Sequence, residues 1–449
     1  MPSREEITYF GAGPALLPTA VLESAAAALQ NYQSTGLGLA EHSHRSPLAN
    51  QILSDTKASL RSLLSIPDSY EILFMQGGGS GEFSAVVYNM VSVWVERRRR
   101  RAEKDLRAKT TSQSLRDDEV EKLILERLKK EVEEELWLDY LVTGSWSLKA
   151  SQEAAKLLGP EHVNVALDAR KANEGKFGQI PGEETWTLTP TPREGGKGPA
   201  LVYYCDNETV DGVEFPSFPK CLEAHSQDEA EERLVVADMS SNILSRKVDV
   251  SKFSVIFAGA QKNIGLTGLT IVILRRSLLP PETPSPEAAL LRSLNLPLGP
   301  VVFDYPTLAA NNSLYNTLSI FDVWVAGQVM KSLLETYGAE KVGGMETVAD
   351  KKAAMVYAVL NKWESKGVYR VVPGRDVRSR MNICFRVGDE GASEKDWLEG
   401  AEKRGLMGLK GHRSVGGIRV SNYNSVSIEG VEELTRYMED YAQNFGTNS

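Results

Sequence analysis

The sequence predicts an α/β protein: a large domain built on a mostly parallel sheet, followed by a smaller α+β domain. Three observations carry this. Short continuous apolar runs rich in Val and Ile alternate with helical patterns between residues 71 and 274, as buried parallel strands do. Glycine or small polar clusters close many of those runs, where an α/β sheet turns into its loops. Near Asp304 the pattern changes to long helical stretches with few strands. A chain of 449 residues also has the length for two domains.

The elements follow in order. After an N-terminal arm (1–20), the large domain (21–303) opens with helical patterns at VLESAAAALQNY and from Ala49 to Leu64. EILFMQ (71–76) is a strand ended by GGGSG, with a helix from Glu82. LDYLVTG (138–144) is a strand, and SLKASQEAAKLL the helix after it. VNVAL (163–167), ALVYYC (200–205), RLVVAD (233–238), FSVIFAG (253–259) and LTIVIL (269–274) read as further buried parallel strands of a doubly wound sheet. The small domain (304–449) begins with helices at Ser319 to Tyr337 and about 345–366. It continues with strands YRVVP and MNICFRV, a helix near 394–405, GIRVSNY, and a last helix at 429–443. The Pro- or Gly-rich stretches 189–199 and 279–299 read as loops. Segment 96–136 looks inserted: charge-dense, starting with Arg97 to Arg101, with Val120, Leu123, Ile124, Leu128, Val132 and Leu136 at helical spacing. It reads as a solvated surface helix, ahead of a partner or anion site.

A net charge of −9 argues against broad nucleic-acid binding. The three cysteines, Cys205, Cys221 and Cys384, form no CxxC and have no metal-type spacing, so neither a disulfide scaffold nor a metal site is expected. No run approaches the about 18 apolar residues of a membrane helix, and the N-terminus lacks a signal core. A cytoplasmic protein that meets neither membrane nor nucleic acid is expected.

Several residues at predicted strand ends can carry chemistry. Lys262, in AGAQKNIGLTG, lies just beyond a strand among small residues, where α/β sheets place ligands. A desolvated amine there is suited to covalent attachment of a carbonyl cofactor. Asp238 ends RLVVAD and can pair with a pyridinium nitrogen, which is what makes pyridoxal phosphate an electron sink; it can equally cap the SSN turn. The Gly77–Gly81 loop, with Ser80, offers N–H groups to a phosphate at a helix start. Trp146 stands at a third strand end, able to stack on a ring or to fill a core. Thr209, in CDNETVDG, can bond a phenolic oxygen. Two basic segments, Ser43-His44-Arg45 and KGHRSVGGIR (Lys410 to Arg419), suit carboxylate or phosphate.

These segments resemble the phosphoserine aminotransferases of the class V, fold-type I pyridoxal-phosphate enzymes. The resemblance runs in order through FGAGPALLP, SHRS, MQGGGSGEFSAV, CDNETVDG, VADMSSNILSR, AGAQKNIGLTGLTIVI, LYNTLS, RMNICFRV and KGHRSVGGIRVSNYN. It implies a homodimer with shared active sites that passes an amino group between L-glutamate and 3-phosphohydroxypyruvate, giving O-phospho-L-serine and 2-oxoglutarate. By matching position it makes Lys262 the Schiff-base lysine and Asp238 the pyridinium partner, with Trp146 stacked on the ring and Thr209 on its O3′. Gly79, Ser80 and Gln261 would hold the cofactor phosphate, joined by Asn316 and Thr317 of the other subunit. Arg45, His412 and Arg413 would take the substrate phosphate across the dimer, and His44 and Arg419 the carboxylate. Ser80 stands where many bacterial members have Arg, and compact members lack the 96–136 insertion.

Three rivals remain. A serine–glyoxylate type aminotransferase would leave SHR and KGHR without a phosphate. A cysteine desulfurase needs a reactive thiol on a mobile loop, whereas Cys384 falls inside a predicted strand. A catalytically silent scaffold on the same fold would be expected to lose Lys262 or Asp238, and both are present.

Overall fold

The computed structural model describes residues 3–109, 116–194, 196–223, 232–389 and 391–445. The chain begins with β1 (Thr8–Tyr9), α1 (Thr19–Gln30) and α2 (Pro47–Leu64), then β2 (Tyr70–Met75), α3 (Gly78–Lys109) and α4 (Asp117–Glu135). There follow β3 (Leu138–Val142), α5 (Ser145–Leu158), β4 (Val163–Asp168), β5 (Leu201–Cys205) and the short hairpin β6 (Asn207–Glu208) and β7 (Val213–Glu214). Next come β8 (Val235–Asp238), β9 (Val255–Gly259), β10 (Thr270–Arg275), α6 (Ala288–Ser293) and α7 (Tyr305–Ala310). The chain continues with α8 (Ile320–Tyr337), α9 (Val342–Glu364), β11 (Tyr369–Val371), β12 (Asn382–Val387) and α10 (Ala392–Glu402). It closes with β13 (Leu406–Met407), β14 (Ile418–Ser421) and α11 (Ile428–Asn444).

A seven-stranded sheet in the order β2-β10-β9-β8-β5-β3-β4 divides the large domain. Alternate side chains feed a core on each face: Ile72, Phe74, Ile256 and Ala258 on one, Leu73, Met75, Val255 and Phe257 on the other. LTIVIL does not join as a parallel strand. β10 runs antiparallel to both β9 and β2, because Ala260 to Leu269 is too short a link for a crossover. The other strands run one way, so Met75, Val142, Cys205, Asp238 and Gly259 end at the same edge.

The inserted segment is not a solvated excursion. The helix expected from Glu82 starts at Gly78 and runs unbroken through the arginine run to Lys109. On α4, Ile124, Leu128 and Val132 are buried in the second core, with only Leu123 of the stripe well exposed. Arg98 is buried over the Trp94 ring and paired with Glu135 (2.5 Å) and Glu131 (3.7 Å). Arg99 and Arg100 both bond Glu96, and Arg127 joins Glu131 to Asp105. These carboxylates neutralise much of the basic run from within. Residues 110–115 of this segment lie outside the described range.

The small antiparallel sheet β11-β12-β14 is packed under α9, α10 and α11, around the fully buried Trp397. The change of pattern near Asp304 precedes this core: Ile320, Val323 and Trp324 of α8 are buried in the first core of the large sheet. At the other end of the chain, β1 pairs in parallel with β13 and Phe10 enters the small core. Just after it, Ala15 N–H donates to the Gln261 carbonyl at 2.9 Å.

Candidate active site

A cavity of about 220 Å³ opens where the strand ends converge. Seven of the residues singled out from the sequence line it: Gly79, Ser80, Trp146, Thr209, Asp238, Gln261 and Lys262. Gly77 and Gly78 take left-handed backbone angles, φ 123° and 62°, which lets the chain turn straight from β2 into α3. The first turn of α3 therefore presents N–H groups and a favourable dipole to the cavity. A Cβ added at Gly79 would stand 3.9 Å from Asp238 Oδ2, so a bare backbone keeps that wall open.

Asp238 serves two ends. Its Oδ1 accepts the Ser240 N–H at 2.9 Å and the Ser240 hydroxyl at 2.6 Å, which is the turn-capping role its sequence context suggested. Oδ2 faces the Gly79 side. Burial raises the carboxyl above its ordinary value, against the opposing pull of Ser240 and the Lys262 charge. A buried carboxylate in that position favours a cationic partner. Lys262, itself 9 % exposed, donates from Nζ to Thr209 Oγ1 at 2.7 Å. An amine at one side of the cavity, a carboxylate at another, an aromatic wall and a helix start match a flat, phosphorylated pyridine aldehyde group by group.

The remaining predicted residues do not line the cavity. Arg419 on β14 stands beside it, donating to the Thr209 carbonyl at 3.3 Å. His412 neighbours Arg419, Lys149 and Arg413; burial, then these three cations, hold its imidazole below the usual value. Asn316 bonds Gln76 at 2.6 Å, one residue ahead of the glycine turn, and its Oδ1 accepts the Thr317 N–H at 2.8 Å. His44 is half-buried and Arg45 exposed.

Sequence reasoning passed over Asn207, Ser240 and Ser241, which also line the cavity. It missed Lys149, whose ammonium lies 4.2 Å from the centroid of the Trp146 ring. Ser240 had a signal, two residues after a strand-ending aspartate; Lys149 had one only through helical spacing from Trp146. Cys384 is buried on β12 and its thiol is pushed up to about 12, which removes it as a nucleophile.

Fold and cavity define a pyridoxal-phosphate-dependent aminotransferase. The aminotransferase class-V family model matches residues 7–100 and 160–434, and the chain belongs to that family. It is 39% identical over 440 residues to the phosphoserine aminotransferase of Saccharomyces cerevisiae, across 98% of each chain. It superposes on the phosphoserine aminotransferase from Bacillus circulans subsp. alkalophilus with a TM-score of 0.76 and 32% identity, over 97% of this chain and 98% of that one. A PLP-bound phosphoserine aminotransferase from Trichomonas vaginalis gives a TM-score of 0.73 and 30% identity, covering 96% and 99%. The cofactor is pyridoxal phosphate.

Proposed function

We propose that the chain is a phosphoserine aminotransferase, moving the amino group between L-glutamate and 3-phosphohydroxypyruvate to give O-phospho-L-serine and 2-oxoglutarate. The observation that carries this is the placement of Lys262 Nζ, 2.7 Å from Thr209 Oγ1, in one cavity with Asp238.

The cofactor, when bound, supplies the electron sink for charge left at the substrate's α-carbon. The chain supplies the rest. Lys262 holds the cofactor between turnovers and, once released by the incoming amine, takes the α-proton on Nζ and gives it back one position along. Asp238 keeps a proton on the ring nitrogen by its negative charge. The Trp146 ring covers one face and excludes water, and Thr209 fixes the ring edge. The glycine turn, Ser80 and Gln261 hold the cofactor phosphate. Arg419 and His44 bind the substrate carboxylate; Arg45, His412 and Arg413 bind the distal anion. Glutamate's side-chain carboxylate and the substrate phosphate share that distal pocket in alternate half-reactions, so both substrates carry a distal negative charge.

A homodimer completes this arrangement. His44 Nε2 is buried with no partner among the described residues, and Arg45, Arg413 and Tyr315 are exposed. A second protomer would bring Asn316 and Thr317 to the cofactor phosphate. The three unpaired thiols suit the cytoplasm. A panel of keto acids offered with glutamate as donor tests the substrate: turnover with 3-phosphohydroxypyruvate well above glyoxylate or pyruvate is expected. Equal turnover with an unphosphorylated acid would overturn the assignment.

A further inference from the structure

The segment after β5 faces two ways. Asn207 and Thr209 line the cavity, while Glu208 and Asp211 turn to the start of α5. Glu208 is fully buried. Its Oε2 accepts the Trp146 N–H at 2.8 Å. Its Oε1 accepts the Ser147 N–H at 2.9 Å and the Ser147 hydroxyl at 2.5 Å. Asp211 Oδ2 accepts the Ser145 N–H at 2.6 Å. The first three N–H groups of α5 lack partners inside the helix, and all three go to carboxylates of one loop.

This is not an ordinary cap. Capping side chains normally come from the residue just ahead of the helix, and here that residue is Gly144. The cap instead comes from a residue 62 positions away. Gly144 is shaped to admit it: a Cβ there would stand 2.4 Å from Glu208 Cγ and Cδ, although the φ of −167° is open to any residue. The next residue on the capping loop, Thr209, accepts from Lys262 through its hydroxyl and from Arg419 through its carbonyl. One rigid connection therefore joins the Trp146 ring to the threonine that meets the lysine.

We infer that Glu208 is a positioning residue: its carboxylate fixes the first turn of α5 and so sets the height of the Trp146 ring over the cofactor ring, in register with Thr209. This rests on the cofactor site proposed above. Removing one acceptor from such a clamp leaves the helix able to form but frees the ring that stacks.

The test titrates apoprotein with pyridoxal phosphate, following the visible absorbance band and its induced circular dichroism. Four forms are compared: wild type, Glu208→Gln, Trp146→Phe and the double variant. Glu208→Gln alone is expected to weaken cofactor binding about tenfold, as befits a lost charged acceptor, and to change the dichroism of the band. In the Trp146→Phe background the same change is expected to weaken binding less than about twofold, because the ring it positions is gone. Equal losses in both backgrounds would overturn the role, as would a Glu208→Gln protein with wild-type affinity and dichroism. If Glu208→Gln does not fold, Gly144→Ala carries the same comparison, since its methyl displaces a chemically intact carboxylate. A wild-type protein that never develops the band refutes the cofactor site itself, and the positioning role falls with it.

Discussion

Lys352 on α9 is fully buried, and its Nζ donates to the carbonyls of Tyr423 (2.9 Å) and Val426 (2.7 Å). Burial lowers the ammonium from 10.5 to about 7. Between those two pH values the unfolded chain holds a proton that the folded chain has released, so stability rises with pH across the window and is flat below it. At about 1.4 kcal/mol per pH unit, the whole span corresponds to about 5 kcal/mol, and the part between pH 7 and pH 9 to about 3 kcal/mol. Lys352→Met keeps the bulk and removes the titration, but leaves two carbonyls without a donor, each worth about 1–3 kcal/mol. At pH 6 the two effects are of similar size, so wild type and variant should unfold at similar denaturant concentrations. At pH 9 the wild type should lead by about 3 kcal/mol more than it does at pH 6 or 7. Equilibrium unfolding in urea at pH 6, 7, 8 and 9, followed by circular dichroism, measures the difference directly. A difference between the two proteins that does not change with pH would refute the argument. The loop held by Lys352 reaches the site: Asn424 N–H donates to Asn263 Oδ1 at 3.0 Å, next to Lys262, and its side chain to the Leu244 carbonyl at 2.9 Å.

Lys262→Ala is expected to abolish both the visible band of the holoprotein and turnover; purified variant that keeps both would count against the lysine's assignment. Arg413→Ala should raise the KM for the phosphorylated substrate by on the order of tenfold or more while leaving cofactor affinity within about twofold, since the lost partner is a charged hydrogen-bond donor to the distal anion. Parallel loss of both, read by steady-state kinetics and cofactor titration, would contradict the pocket. Arg98→Ala breaks a buried ion-paired hub between α3 and α4, at a cost of about 3–5 kcal/mol. Amide hydrogen exchange in α4 should accelerate markedly, with the exchange of β9 unchanged; unaltered α4 protection would show that the pairs do not hold the hairpin.

The strand-ending positions of Asp238 and Lys262 were legible because buried strands announce themselves by continuous apolar runs and the residue after each run is placed by the sheet. The direction of β10 was legible too, had the length of the Ala260–Leu269 link been weighed against what a crossover requires. The run Arg97 to Arg101 misled because a cluster of like charges reads as exposed. Part of its neutralisation was local, at helical spacing from Glu96 to Arg100 and from Glu103 to Arg107. The rest comes from Glu131 and Glu135 across a helix pairing that no local pattern specifies. Glu208 left no trace for the same reason: its partners are brought to it by the sheet, not by the chain.

Pairing the first strand with one near the C-terminus has a consequence for biosynthesis. Thr8 and Tyr9 emerge early from the ribosome, yet their partners Leu406 and Met407 are made almost last. The large sheet can assemble while synthesis continues, but Phe10 has no core to enter until the final segment is complete. The stretch just after it, which reaches the Gln261 carbonyl through Ala15, then has one of its flanks unanchored. A nascent chain stalled before β13 would accordingly carry a finished sheet beside an unfinished cofactor pocket, and competence to hold the cofactor firmly would arrive only after release. Such long-range closure is the slow kind of folding event.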